Sequence, residues 1–152
     1  MVVELDDALI MSARYDSSGY RASYISYDLG NTWNVYEPLN GKILTGAGSG
    51  CQGSFIKVTT QNGHRIGLIS APKNTKGGYI RDNITVYMID FDNLSRGITE
   101  LCVPYPKDGN KAGGGYSCLS FKNENLGILY EADGNIEYKD LTSYYLSLNK
   151  TT

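Results

Sequence analysis

Residues 26–33 read Ser26-Tyr27-Asp28-Leu29-Gly30-Asn31-Thr32-Trp33, directly after an alternating segment, YRASYIS. In chemical terms this is a hairpin turn. The Asp28 carboxylate is placed to accept N–H bonds from its own turn, as an Asx-type cap. Gly30 supplies the positive φ that branched residues resist. Ser26 can bond across the turn, and Trp33 can pack its ring beneath it. Asp28 therefore reads as an architectural residue, and a role as catalytic acid or metal ligand is the weaker reading.

The same pattern of short strand and turn runs outward in both directions. VVEL and ALIMSAR are joined by Asp6-Asp7, and SGCQGSFIKV and RIGLIS by an NGH turn. NITVYMIDF follows, then ITELCVPYP, which ends at two prolines. YSCLSF and LGILYE flank a short polar turn, and NIEYKDLT follows Asp133-Gly134. The 18 glycines and 13 tyrosines among 152 residues fit many short strands with frequent turns. No window holds a sustained 3.6-residue apolar period. The expectation is an all-β chain of antiparallel four-stranded sheets, with no helix longer than two turns.

Composition removes several function classes. The net charge is -2 and dispersed, with no basic run, so nucleic acid is not an expected partner. No apolar stretch reaches membrane-spanning length. The glycine-rich linker from Pro38 to Gly50 lacks the G-K-[ST] of a phosphate-binding loop. Three cysteines without CxxC spacing (Cys51, Cys102 and Cys118) read as half-buried thiols, and His64 as a solvated turn side chain. Neither a metal nor a cofactor is expected. MVVELDD has no charged n-region, so it is not a signal peptide. It opens inside a strand, which suggests a chain cut from something longer.

Two motifs carry a resemblance. Ser26, Asp28, Gly30, Thr32 and Trp33 match S-x-D-x-G-x-T-W, the Asp-box (BNR) repeat of sialidases and other β-propellers, at every specified position. Gly113 to Glu131, GGGYSCLSFKNENLGILYE, resembles the end of the catalytic domain of bacterial sialidases (exo-α-neuraminidases). The resemblance covers roughly residues 2–148. It implies that residues 1–152 form one carboxy-terminal part of a six-bladed β-propeller. At about 45–60 residues per blade, that is the last two and a half to three blades.

The resemblance also implies roles. Tyr116 takes the position of the nucleophile. Glu131, in LYE, takes that of the glutamate holding an arginine that grips the sugar carboxylate. Arg14, ending ALIMSAR, matches the second arginine of a three-arginine cluster, and Arg81 matches the third. Arg21, in SGYRASY, is the neighbouring candidate, but its context resembles the strand after the site. Gln52, in CQGS, is a possible sugar contact. Asp boxes lie on the face away from the active site.

The chemistry explains those residue types. Sialic acid carries a carboxylate on its anomeric carbon, which would repel a carboxylate nucleophile. A tyrosine hydroxyl is neutral, one of the exceptions among glycoside hydrolases. Its ordinary pKa is about 10, so it needs a base beside it. Arginines hold a carboxylate bidentately and keep their charge. The implied activity is retaining exo-α-sialidase cleavage of terminal sialic acid from glycoconjugates. The alternative is a non-catalytic Asp-box module that binds carboxylated sugars.

Part of the site is not in this chain. The family's first arginine and its aspartate acid/base lie far upstream, and the activating glutamate lies just ahead of VVEL. Glu4 falls inside VVEL, where the pattern does not place that residue. The expected partners are sialylated glycans and the remaining amino-terminal part of the propeller. The expected location is secreted or at a bacterial cell surface. Alone, the chain is expected to be inactive.

Overall fold

The computed structural model describes residues 1–14, 19–43, 51–73, 81, 83–105 and 114–149. The glycine-rich linker beyond Ile43, most of the loop before Arg81, Gly113 and the Thr-rich tail lie outside the described residues.

Three antiparallel sheets form in chain order. The first is β1 (Val2–Leu5), β2 (Ala8–Arg14), β3 (Arg21–Ser26) and β4 (Asn34–Val35). The second is β5 (Ser54–Thr59), β6 (Arg65–Pro72), β7 (Ile84–Asp90) and β8 (Ile98–Tyr105). The third holds β9 (Ser117–Lys122), β10 (Asn125–Ala132) and β11 (Asn135–Asp140), ordered β11-β10-β9. Within the stack, β5 packs against both β1 and β9.

Alternation along the middle sheet explains the stacking, because successive side chains point to opposite faces. On β6, Ile66 and Leu68 enter one core while Ile69 and Ala71 enter the other. On β7, Ile84 and Val86 divide from Tyr87 and Ile89 in the same way. The first sheet meets one face with Val3, Ile10 and Tyr36. The third meets the other with Leu119, Leu126 and Ile128. Ile10, Leu68 and Ile128 are fully buried, so truncating any of them to alanine costs about 2–5 kcal/mol.

The expectation of four strands per sheet holds for two sheets of three. Among the described residues the third has three strands, and every residue of β11 is exposed. The chain then leaves the sheet at Leu141 and forms a two-turn helix, α1 (Thr142–Leu148), within the expected limit of two turns. Leu141, Tyr145 and Leu148 fill the end of the core, and the Tyr145 hydroxyl donates to the Thr59 carbonyl at 3.0 Å. No helix is long and apolar enough to cross a membrane among the described residues. The cysteines are not alike: Cys51 and Cys102 are buried and Cys118 is exposed.

The sheets stand with their strand ends in common. At one end Arg65, in the second sheet, reaches Asp6 in the first, and Gln61 donates to Glu124 of the third at 2.9 Å. At the other end Arg21 of the first sheet donates to the Cys51 carbonyl at 2.8 Å. There the Cys51 thiol donates to the Gly115 carbonyl of the third at 3.0 Å.

Candidate active site

Register decides which residues share an end. Strand β2 finishes at Arg14, which pairs across with Arg21 at the start of β3. Strand β3 finishes at Ser26 and enters the Asp28 turn, so Arg14 and Asp28 lie at opposite ends of one sheet. Arg81 lies three residues before β7, and Tyr116 immediately precedes β9. The Glu131 N–H donates to the Tyr116 carbonyl at 2.9 Å, which brings Glu131 beside the tyrosine.

The Arg81 guanidinium carbon lies 5.4 Å from the Tyr116 ring centroid, within cation–π range. A methyl group on Gly115 would sit 2.6 Å from Glu131 Oε2 and 3.6 Å from Arg81 Nη1. The glycine therefore leaves room for a carboxylate and a guanidinium against the backbone that carries Tyr116. Gly114 is tighter, with a methyl there falling 2.4 Å from the Glu131 carbonyl oxygen. Tyr116 itself is 46% exposed, and Arg14 is exposed too. Glu131 is half-buried and makes no ion pair among the described residues.

Electrostatics places the remaining charges. Burial pushes the Cys51 thiol pKa up, while Arg81, Arg14 and Arg21 each pull it down and Glu131 pushes it up. Three guanidiniums and one carboxylate thus lie near enough to act electrostatically on one buried sulfur. Partial burial works against the Arg81 charge, but the Tyr116 phenol, Cys51 and Glu131 together raise its pKa. Arg81 is held cationic beside an exposed phenol.

Gln52 is exposed and lines a concavity of about 360 Å³ with Tyr116, Ser117, Cys118, Leu129 and Glu131. The Ser117 hydroxyl donates to Ser70 Oγ at 2.8 Å and ties this wall to the middle sheet. Arg81 stands beside this concavity, over the Tyr116 ring, and is not part of its wall. Arg21 differs from Arg14. It is 2% exposed, and its donors go to Ser12 and the Cys51 carbonyl, so it does not reach a ligand.

The opposite end is a self-contained turn. Asp28 Oδ1 accepts from Thr32 N at 2.8 Å and from the Ser26 hydroxyl at 2.8 Å, and Asp28 Oδ2 accepts from the Thr32 hydroxyl at 2.6 Å. Gly30 has φ +88°, its N–H donates to Ser26 Oγ at 2.8 Å, and its carbonyl accepts from the Trp33 indole at 3.0 Å. Hydrogen bonds from Thr32 and Ser26 lower the Asp28 pKa to about 2. His64 lies at this end as well, with Nδ1 buried and without a partner, close to Asp90 and Asp92. Arg65 already occupies Asp92, and backbone N–H groups occupy Asp90.

Cys51 was missed as a site residue by sequence reasoning. Its neighbour Gln52 drew attention through CQGS, but a lone buried cysteine carries no local signal.

Three stacked antiparallel sheets, with tyrosine, arginines and glutamate gathered at one set of strand ends, define part of a β-propeller of the sialidase type. Comparison with known proteins agrees. The chain is 79% identical over 150 residues to a sialidase of Clostridium perfringens, covering 99% of this chain and 39% of that protein. It is 76% identical over 148 residues to a sialidase of Paraclostridium sordellii, covering 97% of this chain and 37% of that one. In structure it resembles Trypanosoma rangeli sialidase in complex with the inhibitor DANA. The TM-score is 0.79 at 26% identity, over 98% of this chain and 24% of that chain. No family model matches the sequence. By homology the chain is sialidase sequence, and it spans well under half the length of the relatives it matches.

Proposed function

We propose that this chain carries the tyrosine half of the active site of a retaining exo-α-sialidase acting on terminal sialic acid of glycoconjugates. The observation that supports this best is the Arg81 guanidinium over the Tyr116 ring, with Glu131 and Arg14 drawn to the same end. Arg14 and Arg81 bind the sugar carboxylate as cationic forks. Tyr116 Oη forms a bond to the anomeric carbon as the bond to the leaving oxygen breaks. The phenolic proton passes to a glutamate ahead of Val2-Val3-Glu4-Leu5, and an upstream aspartate protonates the leaving oxygen. Water then releases sialic acid. Glu131 orients the third arginine, supplied by the remaining amino-terminal part of the propeller. Gln52, on the wall of the adjoining concavity, contacts the sugar. The whole protein is read as secreted or bound at a bacterial cell surface, where sialylated glycans are met.

Base and acid both lie outside residues 1–152 on this reading, so the chain alone does not turn over sialosides. General acid–base help is typically worth about 10²–10⁴-fold, and nucleophile activation is lost in addition. The test is an aryl-sialoside assay of the chain alone and mixed with the amino-terminal portion of the C. perfringens relative. Turnover is expected only on mixing, and not with Tyr116→Phe. Turnover by the chain alone at the rate of a whole sialidase contradicts the proposal. Sialic acid binding without turnover in the mixture favours the non-catalytic module instead.

A further inference from the structure

Arg21 is a buried cation held by neutral groups. Its Nε donates to Ser12 Oγ at 2.9 Å, its Nη2 to the Ser12 carbonyl at 3.1 Å and its Nη1 to the Cys51 carbonyl at 2.8 Å. No carboxylate pairs with it among the described residues. Desolvation lowers its pKa to about 10, so it stays charged at neutral pH. A buried charge without a counter-charge is a net cost to folding, so stabilisation does not account for it.

What its bonds join is informative. Ser12 lies two residues before Arg14 on β2, on the same face by strand periodicity. Cys51 leads into the second sheet, and its thiol bonds to the carbonyl of Gly115 in the third, one residue before Tyr116. The path therefore runs from the strand bearing Arg14, through a guanidinium and a thiol, to the peptide bearing Tyr116. Cys51 is 0% exposed, so neither residue touches a ligand.

We propose that Arg21 and Cys51 are positioning residues. The buried guanidinium fixes Ser12 against the Cys51 backbone, and the thiol passes that spacing to Gly115, so Arg14 and Tyr116 are held at one separation. This rests on the reading of Arg14 and Tyr116 as facing one sugar. The sheets have a second tie, Ser117 to Ser70, so loss of the thiol bond leaves them packed.

The test uses the 152-residue chain labelled at tyrosine, with the Tyr116 ring signal assigned by Tyr116→Phe and sialic acid as the probe. Cys51→Ala is expected to move the Tyr116 ring signal and weaken sialic acid binding by about tenfold, the worth of one buried hydrogen bond. Cys51→Ser, which keeps a donor, restores both. Arg21→Lys, which keeps charge but not the planar fork, moves the same signal. Its effect disappears in the Cys51→Ala background, because the path is already cut. The Trp33 indole signal, at the far end, stays in place throughout. Should Arg21→Lys fail to fold by Trp33 emission, Cys51→Ala and Cys51→Ser decide alone. An unmoved Tyr116 signal in Cys51→Ala, or full additivity of the two substitutions, overturns the proposal. Absence of sialic acid binding by the parent chain would mean that Arg14 and Arg81 do not suffice without the amino-terminal arginine, and the Tyr116 signals still judge the positioning.

Discussion

The Asp28 turn and the Arg14 end of the first sheet handle polar residues in opposite ways. At the Asp28 turn every hydrogen bond runs between residues two to four apart in sequence. At the Arg14 end the partners are remote: Arg21 reaches Cys51 across 30 positions, and Cys51 reaches Gly115 across 64. The turn uses up its own donors and acceptors, and what remains exposed there asks for no partner. The other end keeps a phenol exposed beside a cation and clears space for them with glycine. A polar cluster that satisfies itself is scaffold. One assembled from three sheets and left open is what the proposed site requires.

Substitutions at the two ends should separate accordingly. Gly114→Ala is expected to cost more stability than Gly30→Ala or Gly115→Ala, because its new methyl meets backbone, the Glu131 carbonyl at 2.4 Å. Overpacking against atoms that cannot yield costs about 3 kcal/mol, read by urea unfolding. A change below the error of the fit would mean that the hairpin start is looser than the glycines suggest. Gly30→Ala comes next. Its methyl would meet Trp33 only at ordinary contact, 3.5 Å, so the penalty is the φ of +88°. That amounts to about 1–2 kcal/mol, with no change in sialic acid affinity.

Gly115→Ala should do the reverse. The clashing atom is Glu131 Oε2, the tip of a flexible side chain that can swing aside. Stability stays near that of the parent, while displacement of the carboxylate and of Arg81 weakens sialic acid binding by about tenfold in a spectroscopic titration. Equal losses of stability for Gly115→Ala and Gly30→Ala would erase the contrast between the ends.

The smallest effect is a pH dependence at the turn. The Asp28 pKa is depressed from 3.8 to about 2. A depressed carboxylate stabilises the fold above its unfolded pKa, and that contribution is lost as pH falls through the folded value. Melting temperature should therefore fall between about pH 4 and pH 2 more steeply for the parent than for Asp28→Asn. The difference is modest, because the carboxylate is half-exposed at the surface, where solvent screens its charge.

Legibility in the sequence follows the same division. The Asp28 turn was readable residue by residue, because its partners lie within the motif. Strand alternation was readable too, since β6 and β7 carry apolar residues to both faces. Arg14, Arg81, Tyr116 and Glu131 were marked by a family resemblance, and nothing in their spacing announced that they lie at the same set of strand ends. Arg21 and Cys51 were out of reach as a pair, since a bond across 30 positions leaves no trace in local pattern. The helix at Thr142–Leu148 was too short for a helical period to show. Leu141 and Tyr145 are buried by the core they close, not by any preference of their own segment.

The most direct test of the account maps sialic acid onto the labelled chain by NMR titration. Shifts are predicted at Gly115, Tyr116, Arg14 and Arg81, with the Trp33 indole unmoved. The methyl ester of sialic acid, lacking the carboxylate, is predicted to leave all of them in place. Shifts centred on Trp33 and Asp28, or equal shifts with the ester, would contradict a carboxylate-binding site at the tyrosine end.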